Sequence, residues 1–304
     1  MAEFPLKTAG GDDTGARDIY TSGKKVIGLE LDILGEKLNF HIGVGKERAK
    51  LADIVPPARI LCDRITEIVL RRISGDGESI SCDKGCSACC DRCLVPLSVP
   101  EALRFKEEMI AEPASRRESV WETCLRAAQL ILEQRPPDSL ICQTDASDPE
   151  RAADLNLISD WYTSLNLACP FLTNNVCGIY EQRPLACREH FIKGSSAACR
   201  GQDEFAEVIE MPVRLPNVLG QLASELEGTD VEAVMLPLAL VWCQENPQRG
   251  ERSWPAELMV KRFVEIVEEM LLSNMPSAAP LRHTVIDISK KHPVASLLCQ
   301  LSSG

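Results

Sequence analysis

The residues of this chain with the most chemistry are its cysteines, 14 in all, of which eleven lie between Cys82 and Cys199. The first group, CDKGCSACCDRC, sets Cys82, Cys86, Cys89, Cys90 and Cys93 within one short stretch. Thiols spaced as Cys86 and Cys89 are, in a glycine-containing turn, can aim both sulfurs at one metal while backbone N–H groups offset the thiolate charge. Neighbouring side chains diverge, so the Cys89–Cys90 doublet suits a polynuclear cluster, two nearby metals, or one ligand beside one reactive thiol. The second group, CPFLTNNVCGIYEQRPLACREHF, adds Cys169, Cys177 and Cys187 and carries Tyr180, Arg183, Arg188 and His190 between and after them. Disulfides or buried free thiols are the competing account. The opening residues MAEFPLKTAGGDD have no basic segment followed by an apolar one, which points to the cytoplasm, where reduced thiols favour metal over disulfide.

In these two groups the chain resembles the CxxCxxCC (YkgJ-like) family of zinc- or iron-chelating domains. That signature is a CxxCGxCC-type run, then CPFL with a nearby cysteine, then IYxxRPxxCR. Cys86, Cys89 and Cys90 fill the first run, and Cys169, Pro170, Phe171 and Leu172 the second block. Cys177, Ile179, Tyr180, Arg183, Pro184, Cys187 and Arg188 fall in register with the last. Two details depart from the pattern: three residues, not two, separate Cys82 from Cys86, and glycine precedes Cys86 while Ser87 takes the usual glycine position. The likeness covers roughly residues 80 to 191. It implies a mainly helical metal-binding domain with Cys82, Cys86, Cys89, Cys90, Cys169, Cys177 and Cys187 as ligands. The wider relatives include flagellin lysine methylases, which implies an alternative: a metal-cluster-assisted methyltransferase using S-adenosylmethionine on a protein substrate. A structural zinc module for partner binding is a further alternative.

More than four candidate thiols fit either an iron–sulfur cluster or zinc, and the doublet and the sulfur excess favour iron–sulfur. Cys62, Cys124, Cys243 and Cys299 lie in apolar patterns and are expected in the core, while Cys93, Cys142 and Cys199 are spare ligands or bystanders. Arg183 and Arg188 can hold an anionic substrate or lower a thiolate pKa, or pair structurally with carboxylates such as Glu181 and Glu189. Together with Tyr180 they are the expected lining of any substrate cleft. His190 can ligate or support a ligand, or simply follow a helix end. Pro170 and Pro184 fix turns. Gly43 and Gly45 lack the third glycine of a nucleotide-binding turn, and no Ser/His/Asp arrangement supports a hydrolase. Whether the chain is an enzyme stays open.

The 304 residues are 45% apolar and carry a net charge of -12, enough apolar residues for an ordinary core and too acidic for a broad nucleic-acid or membrane footprint. The longest apolar run, Ala233 to Cys243, is short for a membrane span and contains Pro237, so a buried helix is expected.

The elements that must position the cysteines follow from periodicity. Residues 1–23 read as a mobile tail. In residues 24–77, alternating apolar positions on either side of Gly35, Glu36 and Lys37 predict a hairpin, and Ala58 to Val69 a helix stopped at residues 74–77. Residues 78–200 are the expected cysteine-cluster domain. Within it Ser98 and Glu101 form a capping-box pattern before a helix with Val99, Leu103 and Ile110 on one face, and Trp121 to Leu132 form another. Residues 143–156 read as a polar connection. In residues 201–304, helices are expected at 217–227, 231–245 and 255–272, the last opened by Ser253, and packed on the cluster domain. The fold class is mainly α with a small N-terminal β-hairpin, a metal-stabilised cysteine-cluster domain.

Overall fold

A computed structural model of the chain describes residues 19–20, 25–80, 82, 85–134, 155–200 and 207–273. Among them the protein is mainly helical with a small N-terminal hairpin, the expected class. Strands β2 (Lys25–Ile33) and β3 (Glu36–Val44) pair antiparallel from Lys25↔Val44 to Ile33↔Glu36. The turn is therefore Leu34–Gly35, tighter than expected, and Glu36 and Lys37 belong to the strand. Both turn residues have positive φ, 55° and 86°, the geometry that suits the twist of a two-residue hairpin and that glycine adopts without strain. Leu29, Leu31, Ile33, Phe40 and Ile42 bury one face. A two-residue strand β1 (Ile19–Tyr20) pairs parallel with β3, so part of the predicted tail is ordered; residues 1–18 and 21–24 lie outside the described residues.

Helix α1 (Val55–Gly75) admits Pro56 and Pro57 in its first turn, where a missing N–H leaves nothing unpaired, and buries Leu61, Cys62, Ile65 and Val69. Helix α2 (Val99–Ala111) opens on the expected Ser98/Glu101 capping box. Its buried face carries Leu103, Phe105 and Met109, whereas Ile110, expected there, is exposed. Helix α3 (Ala114–Glu133) starts seven residues before Trp121 and buries Val120, Cys124, Ala128 and Ile131. Helix α4 (Leu155–Ser164) takes up the end of the stretch expected to be a polar connection, the rest of which lies outside the described residues.

Two short helices, α5 (Leu185–Arg188) and α8 (Pro247–Glu251), flank longer ones: α6 (Leu215–Glu227) and α7 (Ala239–Glu245) between them, α9 (Ala256–Ser273) after them. The helix expected at 231–245 is only half there. Strand β10 (Ala233–Met235) pairs antiparallel with β5 (Pro96–Ser98), and Pro237, with no N–H to give, sits in a 3-10 turn before α7. Ser253 is no cap either. Strand β11 (Trp254–Pro255) pairs with β4 (Arg48–Ala49), the Ser253 hydroxyl accepts from Arg48, and the Ala256 N–H that opens α9 donates to the Glu47 carbonyl at 3.0 Å.

One apolar core runs from Leu29 through α1, α2 and α6 to Met270 and takes in Phe171, Ile179, Leu185 and Phe191 from around the second cysteine group. A smaller cluster joins Ala128 and Ile131 to Ile158, Tyr162, Met235 and Leu238. Cys62, Cys124 and Cys243 are buried as expected; Cys299 lies outside the described residues. No described helix is long and apolar enough to cross a membrane.

Candidate metal centre

The first cysteine group is shaped by its own backbone. Gly85 has φ 102°, a conformation that any Cβ would strain, and redirects the chain into a 3-10 turn at Ala88–Asp91. The Cys90 N–H donates to the Ser87 carbonyl and the Cys93 N–H to the Cys89 carbonyl, both at 2.9 Å, which holds Cys89, Cys90 and Cys93 on one tight loop. Cys86 is exposed; Cys82, Cys89, Cys90 and Cys93 are half-buried.

The second group reaches the first through the backbone as well, for the Cys169 N–H donates to the Cys90 carbonyl at 2.6 Å. Strands β6 (Leu172–Thr173) and β7 (Val176–Cys177) then form a ribbon turned through Asn174 and Asn175. Both asparagines have positive φ, 51° and 61°, which this residue type tolerates well. Gly178 lets the chain close, since a Cβ there would stand 3.2 Å from the Phe171 carbonyl oxygen. Cys187 sits in α5. After β8 (Ile192–Lys193), which pairs with β9 (Glu207–Val208), a 3-10 turn at Ser196–Arg200 packs on the Ala88–Asp91 turn and carries Cys199 with it.

The thiols are close enough to oppose one another's ionisation. Cys89 is pushed well up, first by its hydrogen bond with the Cys90 thiol, then by burial. Burial raises Cys93 and Cys169 to about 11, with Cys89 adding to both and Cys177 to the second. Burial also raises Cys187, helped by Cys169, Cys89 and Cys177 and by the Glu101 carboxylate. Cys199 rises to about 12 by burial and the proximity of Cys89, Cys82, Cys93 and Cys86. Cys89 is the common neighbour, in electrostatic contact with cysteines from all three segments. Cys93 and Cys199, undecided from sequence, therefore stand in the same neighbourhood as the seven expected ligands, and Cys142 lies outside the described residues.

Around Cys187 the chain is gripped by side chains. Arg188 is buried, its Nη1 bonded to both oxygens of Asp63 at 2.8 and 2.7 Å, its Nε to the Arg183 carbonyl, and its Nη2 to the Glu181 carbonyl. Of the roles weighed for Arg188 this is structural pairing, with Asp63 of α1 in place of the Glu181 or Glu189 side chain. Arg59, one turn earlier on α1, bonds Glu108 through both terminal nitrogens and the Gln182 carbonyl at 2.9 Å. Glu189 is buried, accepts from the Leu215 N–H at 2.7 Å and Arg214 Nε at 2.8 Å, and lies 4.0 Å from the Cys62 sulfur. Burial outweighs these bonds and raises its carboxyl to about 7.

Arg183 is different. Its guanidinium lies over the Tyr180 ring, 4.3 Å from the centroid, its Nε is buried without a partner, and its charge eases the ionisation of Cys89. Arg92 Nε is likewise buried and unpartnered, and its charge acts on Cys93 in the same sense. His190 is half-buried just past α5, and burial, then Arg214, lowers its pKa.

A family model described as "CxxCxxCC: Putative zinc- or iron-chelating domain" matches residues 81–207. Residues 81–207 are thus similar to a domain described as zinc- or iron-chelating. That likeness supports metal binding by the cysteines of this stretch. The match extends beyond the motif blocks and includes Cys199. No curated protein and no solved structure matches the chain.

The donors of this stretch fit a thiophilic metal by their chemistry. They are thiols throughout, and a cation that binds them must displace their protons. Among the described residues no three His, Cys, Asp or Glu side chains converge closely enough to hold an ion as they stand. The thiols share a neighbourhood, and a coordination sphere requires side-chain rotation and some closure of the first loop around it.

Proposed function

We propose that this protein chelates metal in a polynuclear thiolate centre, an iron–sulfur cluster in preference to zinc, held by Cys82, Cys86, Cys89, Cys90, Cys169, Cys177 and Cys187, with Cys93 and Cys199 as further donors. The observation that carries this reading is that the loop of Cys89 and Cys90 accepts the Cys169 N–H and packs on the turn of Cys199, which gathers cysteines from three segments, more sulfurs than one tetrahedral ion uses. Such a centre supplies electron transfer or Lewis acidity when bound. This chain's own part is to bring the sulfurs together, most of them half-buried, and to set Arg92 and Arg183 beside Cys93 and Cys89 as counter-charge to the thiolates. The setting that suits it is a reducing cytoplasm, where the thiols stay free for the metal.

Anaerobic purification followed by iron, zinc and acid-labile sulfide analysis tests the reading. Iron and sulfide in comparable amounts, lost together in Cys89→Ser, are expected. Zinc without sulfide overturns the cluster, and a folded chain that takes up neither metal overturns chelation.

A further inference from the structure

The helix turn that carries Cys187 starts without a cap of its own. Its N-cap residue is Pro184, which has no side-chain hydrogen bond to offer, so the first helical N–H, that of Leu185, needs an acceptor from elsewhere. The acceptor is Glu101 Oε1, 84 residues away in sequence, at 2.7 Å. The other oxygen of the same carboxylate, Oε2, accepts the Ser98 N–H at 3.1 Å and the Ser98 hydroxyl at 2.8 Å, closing the capping box of α2. Glu101 is 1% exposed, so nothing from solvent substitutes for any of these bonds.

We infer that Glu101 is the positioning residue of the metal centre, one buried carboxylate that caps α2 and, with its second oxygen, fixes the helix turn that presents Cys187. This role rests on the chelation reading, with Cys187 as a ligand. A capping box needs only the oxygen turned to Ser98, and the one turned to Leu185 contributes nothing to α2. The carboxylate opposes ionisation of Cys187, so activating that thiol is not its purpose; what it supplies is place. Short-range placement matters here because a sulfur swung away by a frayed turn no longer reaches the ion that the other cysteines share.

Cobalt(II) titration of the reduced full-length chain, read by the thiolate-to-cobalt charge-transfer band, tests the inference. Glu101→Asp withdraws the oxygen from Leu185 and is expected to weaken cobalt binding about tenfold, as loss of a ligand's supporting bond does, with a weaker band. Ser98→Ala, which disturbs only the α2 side, lowers the unfolding midpoint and leaves cobalt affinity within about twofold. Glu101→Gln has one acceptor oxygen for the two N–H groups of Leu185 and Ser98, so it is expected to bind cobalt less tightly than the wild type and more tightly than Glu101→Asp; it also serves if the aspartate variant does not fold. The decisive comparison adds Cys187→Ser. If Glu101 acts through Cys187, Glu101→Asp costs no further affinity in that background. Equal losses in both backgrounds, or unchanged affinity in every Glu101 variant of a cobalt-binding protein, overturn the inference. A wild-type chain that binds no cobalt overturns the chelation reading first, and this role with it.

Discussion

Around Cys187 the backbone is held from outside by side chains of three other elements, whereas around Cys86 to Cys93 it is held by its own turn hydrogen bonds. Glu101 takes the Leu185 N–H, Arg59 the Gln182 carbonyl and Asp63 the Arg188 guanidinium, while Glu189 reaches out to Arg214 and Leu215. Arg59, Cys62 and Asp63 fall at positions i, i+3 and i+4 of α1, so a single helix face meets the whole stretch from Gln182 to Glu189. The first loop has Cys90 to Ser87, Cys93 to Cys89 and the bridge from Cys169 to Cys90. The second half of the proposed centre is thus fixed by side chains of the surrounding fold. The first half is a loop held by its backbone bonds, so on the chelation reading it is where bound metal adds most order.

The sharpest way to break this contrast is to remove one arginine from each half. Arg188→Met removes the donor that the Arg183 and Glu181 carbonyls share and strips Asp63 of its partner. Asp63 is half exposed and keeps its solvation, so the loss is expected to cost about 2 kcal/mol in urea unfolding of the metal-free chain, chiefly through the broken hydrogen bonds. Arg92→Met removes a guanidinium with no partner at its buried Nε and is expected to cost less than about 1 kcal/mol. Equal losses would mean that the first loop is as firmly built in as the second.

The same contrast has a pH dimension, because the clamp contains a titrating group. Glu189 has a carboxyl near 7 in the fold against 4.5 when free, so the folded state holds its proton more tightly than the unfolded state. Its contribution is fully present below about pH 4.5 and is lost as pH rises through 7, a fall on the order of 3 kcal/mol at about 1.4 kcal/mol per unit. Metal-free protein is therefore expected to lose stability between pH 5 and 8, and Glu189→Gln to flatten that slope. A wild-type profile that is flat or rising over this range would show that Arg214 and the Leu215 N–H, not burial, govern the carboxyl.

Which parts of this were legible in the sequence follows from the range of the forces involved. The hairpin, α1, the capping box and α6 were readable because periodicity and caps act within a few residues. The split of 231–245 was not, because the pairing of Ala233–Met235 with Pro96–Ser98 is a long-range choice that overrides helix propensity. Ser253 failed as a cap for the same reason, its neighbours being drawn into a ribbon with Arg48 and Ala49. The cysteine spacing pointed to the neighbourhood, yet Cys93 and Cys199 joined it only once the two 3-10 turns were seen to pack together. Glu101 was visible as a cap and invisible as the anchor of Cys187, since no local pattern announces a bond across 84 residues.

The smallest expected change separates the two halves most cleanly. Cys86 is exposed, on the loop that its own backbone holds, so Cys86→Ser is expected to alter the stability of the metal-free chain by no more than about 0.5 kcal/mol. Cys187 is half-buried near Cys169, Cys89 and Cys177, and Cys187→Ser introduces a hydroxyl that needs a partner where a thiol did not, a cost of about 1 kcal/mol. Both variants are expected to lower metal uptake. Only the second is expected to lower the urea midpoint without metal, because only there is the thiol half-buried and not exposed. If Cys86→Ser destabilises the metal-free chain as much as Cys187→Ser does, the first loop is already closed, and metal adds coordination to it without adding order.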